Sequence, residues 1–411
     1  MKTESGRLKR FLTKLALILF GLMMGVIITE LTLRAAGYSY PGFYMPDATR
    51  GYSLIPGTEG WYRKEGESYV RINSAGQRDR EHTKVKAADT VRIAVIGDSY
   101  AEAFQVPVEQ AFWAVMEQRL QESGSIPGKQ IEVLNFGVSG YGTANELLTL
   151  RERVWDYGPD IVLLAVTTNN DVVDNSRELK KTDEVPYFVY RDGKLVLDDS
   201  FRTSRAFQMR QSKLNRLGRW IKDHSRLVQA INEAHHGFKI RLASSKSRLT
   251  APSAEQTETK SDVMARSEEL GFDNIVYLEP RNAVWNDAWL VTEGLIRAMR
   301  DDVSGQGAKF IVVTLSNGPQ VLPDPQARQA FMRRLGINDL FYPDNRIRSL
   351  CERENIPVIT LAPELQAYAE KSGSFLHGFG QDLGNGHWNA VGHRVAGELI
   401  AQKMKDDVLG K

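Results

Sequence analysis

From residue 91 onward, five short apolar runs alternate with stretches whose apolar residues recur at helical spacing. The runs predict buried strands and the stretches between them predict helices. The predicted strands are Val91–Ile96, Ile131–Asn135, Asp160–Val166, Lys309–Leu315 and Pro357–Leu361. The predicted helices are, approximately, Glu109–Glu122, Ala144–Trp155, Trp285–Val303, Ala327–Leu335 and Ala390–Lys405. This alternation indicates an α/β fold in which a parallel sheet is covered by helices on both faces.

The alternation stops in an insert at about 172–284. Two short runs, Val185–Tyr190 and Lys194–Leu197, flank Asp192-Gly193 and predict a β-hairpin. A basic helical stretch is predicted from Arg205 to Ala243, and a polar loop at 244–262. We interpret the basic helix as a solvated face that covers the core, with binding to anionic lipid head groups as the alternative. No nucleic-acid-reading motif accompanies it, so nucleic acid is not an expected partner.

The N-terminal region contains an uncharged apolar run from Leu15 to Thr29 that follows five basic residues. Extension to Phe11–Leu33 gives the roughly 20 residues that a membrane-spanning helix needs. We expect an uncleaved anchor whose basic flank stays in the cytoplasm, which places the rest of the chain in the periplasm or outside the cell. A cleaved signal peptide and a buried hydrophobic helix are the alternatives. The predicted domains are 1–36 (flank and anchor), 37–90 (an extended lead-in segment) and 91–411 (the main domain with its insert).

Composition adds little to the choice of function. The 411 residues are 42% hydrophobic and 25% charged, as in globular proteins. The chain has 53 Lys and Arg against 51 Asp and Glu, so its overall charge does not indicate a polyanionic partner. The single cysteine, Cys351, cannot form an internal disulfide and is expected as a buried thiol in a helix over Asn345–Glu354. No cofactor is expected, because neither a spaced set of metal ligands nor a phosphate-binding loop is present in the sequence.

Four polar or glycine-rich blocks lie where the predicted strands end or where the last helix begins. They are Gly97-Asp98-Ser99, Asn135–Thr143 (NFGVSGYGT), Leu163–Asp171 (LLAVTTNND) and Gly384–His393 (GNGHWNAVGH). Each block alone is compatible with an ordinary turn. Because the carboxyl ends of parallel strands share one edge of the sheet, where open α/β folds bind ligands, the four blocks together indicate a site.

The order of these blocks resembles that of the SGNH/GDSL hydrolases. The resemblance runs from about Arg92 to Lys405, is interrupted by the insert, and is closest to bacterial, envelope-facing branches. It implies a flavodoxin-like three-layer α/β/α fold with a central five-stranded parallel sheet. It also implies that Ser99 is the nucleophile and His387 its general base. The backbone amides of Ser99 and Gly140, with the side chain of Asn170, would form the oxyanion hole.

The sequence departs from the family at the residue that orients the histidine. The family has an aspartate two or three residues before this histidine, where the present chain has Asn385 and Gly384. The nearest acid is Asp382, five residues upstream, and we predict it as the orienting group. The alternative is a Ser-His dyad in which Asn385 or a backbone carbonyl orients the ring.

His393 is predicted to pack or cap, and His377 is a candidate for lining the pocket. Asp98 and Asp171 are expected to satisfy turn amides rather than to transfer protons.

These expectations lead to a membrane-anchored serine esterase that hydrolyses an acyl ester, possibly an O-acetyl ester of a carbohydrate, outside the cytoplasm. The alternatives are an O-acyltransferase acting on an envelope polysaccharide and a non-catalytic glycan-binding relative, the latter because no aspartate stands at the usual place. The insert is predicted to form a lid or a partner surface, because insertions after sheet strands emerge beside the ligand edge.

Overall fold

The computed structural model describes residues 2–235 and 272–409. These residues divide into two compact units. The first contains residues 2–42, 59–61 and 212–235, and the second contains residues 43–58, 62–211 and 272–409. This grouping differs from the predicted boundaries, because part of the insert joins the N-terminal region. The predicted loop at 244–262 and the end of the predicted basic helix, at 236–243, lie outside the described residues.

The second unit is built on a five-stranded parallel sheet. The strands along the chain are β1 (Tyr44–Asp47), β2 (Gly51–Leu54), β3 (Glu59–Tyr62), β4 (Ser68–Arg71), β5 (Thr90–Gly97), β6 (Gln130–Asn135), β7 (Ile161–Thr167), β8 (Tyr187–Arg191), β9 (Lys194–Asp198), β10 (Lys309–Leu315) and β11 (Val358–Thr360). The main sheet has the order β6-β5-β7-β10-β11, and all of its neighbouring strands are parallel. In chain order these strands are arranged 2-1-3-4-5, which is the flavodoxin-like order. All five predicted strands are confirmed to within one residue at each end.

Helices cover both faces of this sheet. The second unit contains α2 (Ser99–Glu102), α3 (Phe112–Glu122), α4 (Thr143–Thr149), α5 (Thr168–Asp174), α6 (Arg177–Lys180), α7 (Arg205–Gln211), α10 (Ala283–Gly305), α11 (Pro325–Leu335), α12 (Tyr342–Arg353), α13 (Ala362–Ser372) and α14 (Ala390–Lys403). The first unit contains α1 (Lys2–Ala35), α8 (Lys213–His224) and α9 (226–235). Along β5, Ile93 and Val95 join the core cluster beneath α3 and α14, whereas Ala94 and Ile96 join the cluster beneath α4 and α10. This alternation follows from the two-residue period of a strand and gives the predicted three-layer α/β/α fold.

The smaller predicted elements of the second unit are also present. The strands β8 and β9 form an antiparallel hairpin whose turn residues, Asp192 and Gly193, both have positive φ. That conformation is the one for which an Asp-Gly pair is suited. Cys351 is fully buried in α12, as expected for a structural thiol. The lead-in segment supplies β1 and β2, which pair antiparallel, and a small core around Phe43 and Val70.

The predicted helical stretch from Arg205 to Ala243 is not one helix within the described residues. The segment is divided into α7, α8 and α9, with breaks at Ser212 and Ser225. The Ser212 hydroxyl accepts a hydrogen bond from the Asn215 backbone and caps α8, and Ser225 has extended backbone angles. Serine competes with the helix for backbone hydrogen bonds, which explains both interruptions. In the first unit, α1 contains an apolar stretch over Leu8–Ala35 that is long enough to cross a membrane.

Candidate active site

The predicted nucleophile lies at the carboxyl edge of the sheet, immediately after β5. The Asp98 side chain accepts a hydrogen bond from the Tyr100 backbone and caps the single turn α2, which begins at Ser99. Ser99 is 5% exposed. The strand therefore ends in a turn that holds the Ser99 hydroxyl at the edge where its partners converge.

His387 contacts Ser99 directly. Its Nε2 atom lies 2.8 Å from Ser99 Oγ. The other ring nitrogen, Nδ1, lies 2.5 Å from Oε2 of Glu65, and the His387 backbone N–H donates to Oε1 of the same carboxylate at 2.7 Å. A hydroxyl, an imidazole and a carboxylate thus form a continuous chain of hydrogen bonds, the arrangement that activates a serine nucleophile.

The orienting carboxylate is Glu65, and the prediction that Asp382 takes this position is wrong. Asp382 is exposed, and its backbone closes turns with Phe379 and Asn385. Because Nδ1 is bound to Glu65, the dyad oriented by Asn385 is wrong as well. Glu65 precedes the nucleophile by thirty-four residues in the chain, and the family spacing gave no reason to look there.

Two glycines allow Glu65 to approach the histidine so closely. Gly386 has φ +71°, and a Cβ atom there would lie 2.1 Å from Glu65 Oε1. Gly66 has φ +67°, and its Cβ would lie 2.3 Å from the carbonyl oxygen of Gln105. The Glu65-Gly66 and Gly386-His387 pairs are therefore the local sequence signals of this contact, although neither identifies its partner alone.

The pKa values of the pair follow from this contact. Burial alone would lower the pKa of His387, but the hydrogen bond and charge of Glu65, with the charges of Asp98 and Glu102, raise it above its ordinary value. Burial alone would raise the pKa of Glu65, but its bonds to His387 hold it below the ordinary value. The carboxylate is therefore ionised at neutral pH and stabilises a protonated imidazole.

His377 is buried behind the loop that carries His387. It is 1% exposed, and burial lowers its pKa to about 4, so the ring is neutral at pH 7. Its Nδ1–H donates to the carbonyl of Gly386 at 2.8 Å, which leaves Nε2 to accept from the Ser316 hydroxyl at 3.1 Å. The indole of Trp388 donates to the same hydroxyl. These residues fix the loop that carries His387, and His377, a candidate for lining the pocket, is buried instead.

The loop after β6 is held from several sides. Gly140 has φ +74°. The Tyr52 hydroxyl donates to the carbonyl of Ser139 at 2.9 Å, and Lys180 Nζ donates to the carbonyl of Gly140 at 2.6 Å. In a trans peptide the carbonyl and the following N–H point in opposite directions, so the bond to Ser139 also fixes the direction of the Gly140 N–H. The peptide group that carries the predicted oxyanion donor is therefore held in one orientation.

Asn170 is placed beside the nucleophile through Asp98. Its Nδ2 atom donates to Asp98 Oδ2 at 2.8 Å, and the Thr167 hydroxyl donates to the other oxygen at 3.0 Å. The side-chain amide has two hydrogens, so one remains for a ligand. Asp98 therefore acts as a turn acceptor, as predicted. The Asp171 carboxylate likewise accepts a hydrogen bond from the backbone N–H of Thr167.

Glu102, which the sequence did not indicate, connects α2 to the loop of Gly140. It is 2% exposed, and burial raises its pKa to about 7. Its carboxyl group accepts from the Ser139 backbone N–H at 3.1 Å and contacts the hydroxyl of Tyr44. Because Glu102 and Ser99 belong to the same turn, this contact ties the loop to the nucleophile.

The remaining candidate histidine is structural. His393 is fully buried in α14, and its Nδ1 accepts a hydrogen bond from the Phe112 backbone at 3.2 Å. This confirms the predicted packing and capping role. Within residues 2–235 and 272–409, no group of three or more His, Cys, Asp or Glu residues is arranged to hold a metal ion.

The structure brings Ser99 and His387 into contact and places Asn170 against Asp98, at the sheet edge that the four sequence blocks indicate. The strand order is the flavodoxin-like one that the resemblance to the SGNH/GDSL hydrolases implies. The chain resembles them in the placement of Ser99 and His387 and differs in the source of the orienting carboxylate.

Comparisons with known proteins return esterases. A stretch of 79 residues, 19% of this chain, is 29% identical to an arylesterase from Vibrio mimicus and spans 38% of that protein. An acetyl xylan esterase structure is 17% identical, with a TM-score of 0.37 over 77% of this chain and 100% of its own. A catalytic mutant of an acetylxylan esterase from Geobacillus stearothermophilus is 12% identical, with a TM-score of 0.37 over 79% and 97%. A putative G-D-S-L lipolytic protein from Desulfitobacterium hafniense is 13% identical, with a TM-score of 0.34 over 76% and 98%. No family model matches the chain.

Proposed function

We propose that this protein is a membrane-anchored serine esterase that hydrolyses an acyl ester outside the cytoplasm. The observation that carries the proposal is the 2.8 Å contact between Ser99 Oγ and His387 Nε2, continued to Glu65 through Nδ1. A serine hydroxyl is a weak nucleophile unless a base can take its proton in the transition state. His387 is in position to do so, and the charge of Glu65 stabilises the imidazolium that results.

The proposed reaction has two halves. In the first, Ser99 Oγ attacks the ester carbonyl and its proton moves to His387 Nε2, and the tetrahedral oxyanion binds the Ser99 and Gly140 amides and Asn170 Nδ2. The imidazolium then protonates the departing alcohol, which leaves an acyl-serine. In the second, His387 takes a proton from water, the hydroxide equivalent attacks the acyl carbonyl, and Ser99 regains its proton as the acid departs.

Glu65 also weakens the case for a non-catalytic relative. That alternative depended on the missing aspartate near His387. A glutamate that contacts both the ring and the backbone N–H of His387 supplies the missing group from another part of the chain. The contact therefore supports an active enzyme.

The direct test is covalent labelling of the full chain, purified in detergent, with a fluorophosphonate probe. We expect one labelled residue, Ser99, and loss of labelling in both Ser99→Ala and His387→Ala. The exposed Ser123 provides a matched control, and Ser123→Ala should label like the wild type. A folded wild-type sample that does not react at Ser99 would contradict the proposal.

Product analysis then identifies the acyl acceptor. The acetylxylan esterases described above make an acetylated oligosaccharide a suitable first natural ester, beside a synthetic acetyl ester. Release of free acid alone, with and without an added glycan, is the expected result. Transfer of the acyl group to the glycan would instead identify an O-acyltransferase with the same acyl-enzyme.

The anchored topology is supported by α1, whose apolar stretch is long enough to span a bilayer and is preceded by basic residues such as Arg7 and Arg10. We expect protease added to intact spheroplasts to digest the domain that contains Ser99. Digestion only after the membrane is permeabilised would contradict the proposed orientation.

A further inference from the structure

The short helix α8 has an apolar face that is exposed. Leu214, Leu217 and Ile221 follow one another at intervals of three and four residues, which places them within an arc of about 60° on a helix of 3.6 residues per turn. They are 82%, 53% and 40% exposed, and Trp220, at the margin of the same face, is 58% exposed. Contiguous exposed apolar surface of this kind is unusual on a soluble domain and indicates an interaction site.

The other face of α8 is basic. The helix contains four basic residues and one acid, Asp223. Of the basic residues, Arg216 and Lys222 lie on the side away from Leu217, with helical offsets of roughly 100° and 140° from it. A large apolar face with lysine and arginine on the remaining surface is typical of helices that lie in the plane of a membrane surface.

Direct contacts join α8 to the end of α1 within the first unit. The carboxylate of Glu30 accepts from the backbone N–H groups of Arg226 and Leu227, each at 3.0 Å, and from the hydroxyl of Ser225 at 3.1 Å. Arg34 donates to the carbonyl of His224, the last residue of α8, at 2.5 Å. Glu30 therefore caps α9, and α8 ends against the last turn of α1.

This junction fixes the depth of α8 relative to the candidate membrane span. The apolar stretch of α1 ends at Ala35, one residue after Arg34. A charged pair such as Glu30 and Arg34 is expected at the boundary between hydrocarbon and head groups, where long charged side chains can reach water. With α1 across the membrane, as in the proposed function, the end of α8 that touches this pair lies at the level of the membrane surface.

We propose that α8 lies in the surface of the membrane that holds α1. Leu214, Leu217 and Ile221 enter the boundary of the acyl chains, and the basic side chains contact anionic lipid head groups. The inference rests on the membrane anchoring in the proposed function and assigns α8 a second attachment to the same bilayer. The lipid surface is favoured over a protein partner because the exposed apolar face, the basic flank and the end of the spanning helix occur together.

The test uses the full chain in nanodiscs of phosphatidylcholine and phosphatidylglycerol, with an environment-sensitive fluorophore on a single introduced cysteine. Leu217→Cys reports the apolar face, and Arg216→Cys, its neighbour, is the matched control on the other side. Leu19→Cys reports the anchor. The native Cys351 is fully buried, and Cys351→Ser provides the background if it reacts. The quenchers are iodide in the water and a nitroxide carried on the lipid near the head group.

We expect the lipid nitroxide to quench the label of Leu217→Cys several-fold more than that of Arg216→Cys, with the opposite order for iodide. Equal iodide quenching at both positions would overturn the proposal. Protection of Leu217→Cys from both quenchers would also overturn it, since protein would then cover the face. Equal lipid quenching in discs without phosphatidylglycerol would overturn the head-group contribution. Iodide quenching of Leu19→Cys as strong as that of Arg216→Cys would refute the anchor itself, and fluorophosphonate labelling of Ser99 in the same discs reports the esterase activity separately.

Discussion

Replacement of Glu65 by glutamine separates the charge of the orienting group from its shape. The carboxylate uses both oxygens on His387, one for the ring Nδ1–H and one for the backbone N–H. An amide has only one acceptor oxygen. If that oxygen faces Nδ1, the NH2 group opposes the backbone N–H. If the amide is reversed, the proton of the imidazole moves to Nε2, and the ring can no longer accept the proton of Ser99.

The expected size of the effect follows from the strength of these contacts. A hydrogen bond to a charged group contributes about 1.5–3 kcal/mol, and each 1.4 kcal/mol is a factor of about ten. The Glu65 side chain is 26% exposed, so solvent weakens its charge relative to a buried carboxylate. The corresponding change in a buried triad lowers kcat by about 10⁴-fold. We therefore expect Glu65→Gln to lower kcat/KM by about 10²-fold.

The assay is hydrolysis of a soluble acetyl ester by the full chain in detergent, with thermal unfolding measured in parallel. Asp382→Asn is the matched control, because it neutralises the acid that the sequence predicts as the orienting group. It should leave kcat/KM within about twofold of the wild type, since exposed side chains without such contacts contribute little to activity or stability. The reasoning is refuted if Glu65→Gln retains wild-type kcat/KM or if Asp382→Asn shows the larger loss.

The pH profile of the same variants gives an independent check. His387 must be neutral to accept a proton, so kcat/KM rises as pH increases through the pKa of His387. Glu65 raises that pKa in the wild type. Removal of its charge should move the rising limb of the profile to lower pH, even though the rate falls. A limb that stays at the same pH in Glu65→Gln would show that Glu65 does not act on the ring.

Three further changes test the surroundings of Ser99. Gly140→Ala should lower kcat by about 10²–10³-fold, the usual effect of losing an oxyanion donor. The reason is that the positive φ is lost and a Cβ would lie 2.6 Å from the Tyr52 hydroxyl. A near-normal kcat for the same acetyl ester would exclude the Gly140 amide from the oxyanion hole. Asn170→Ala should lower kcat by about 10²–10³-fold for the same reason, with little change in KM. Burial raises the folded-state pKa of Glu102 to about 7, so its carboxyl group stabilises the fold most at low pH and loses that contribution as pH rises through about 7. Glu102→Gln should therefore unfold at a higher temperature than the wild type at pH 8 and at a similar temperature at pH 5. Equal melting temperatures of the two proteins at both pH values would contradict the buried charge.

The sequence predicts the framework of this protein well, because each strand of the main sheet is buried on both faces. A strand such as Ile161–Thr167 is apolar at nearly every position, and that run is visible without any tertiary information. The positions of Ser99 and His387 follow, since both are tied to strand or helix ends that the pattern locates. The division of the basic helix at Ser212 and Ser225 was missed, because apolar spacing continues across both breaks and only the local serine hydrogen bonds interrupt the backbone.

The orienting carboxylate could not be found in the same way, because its position depends on contacts between distant segments. Glu65 lies before β4, in a lead-in segment whose short strands have no long periodic pattern. Its approach to His387 requires Gly386, which leaves room for the carboxylate against the backbone, and Gly66, which allows the lead-in chain to pass close to Gln105. The lead-in segment is therefore part of the site as well as part of the fold. A boundary drawn at residue 90 separates Ser99 and His387 from the carboxylate that binds the histidine.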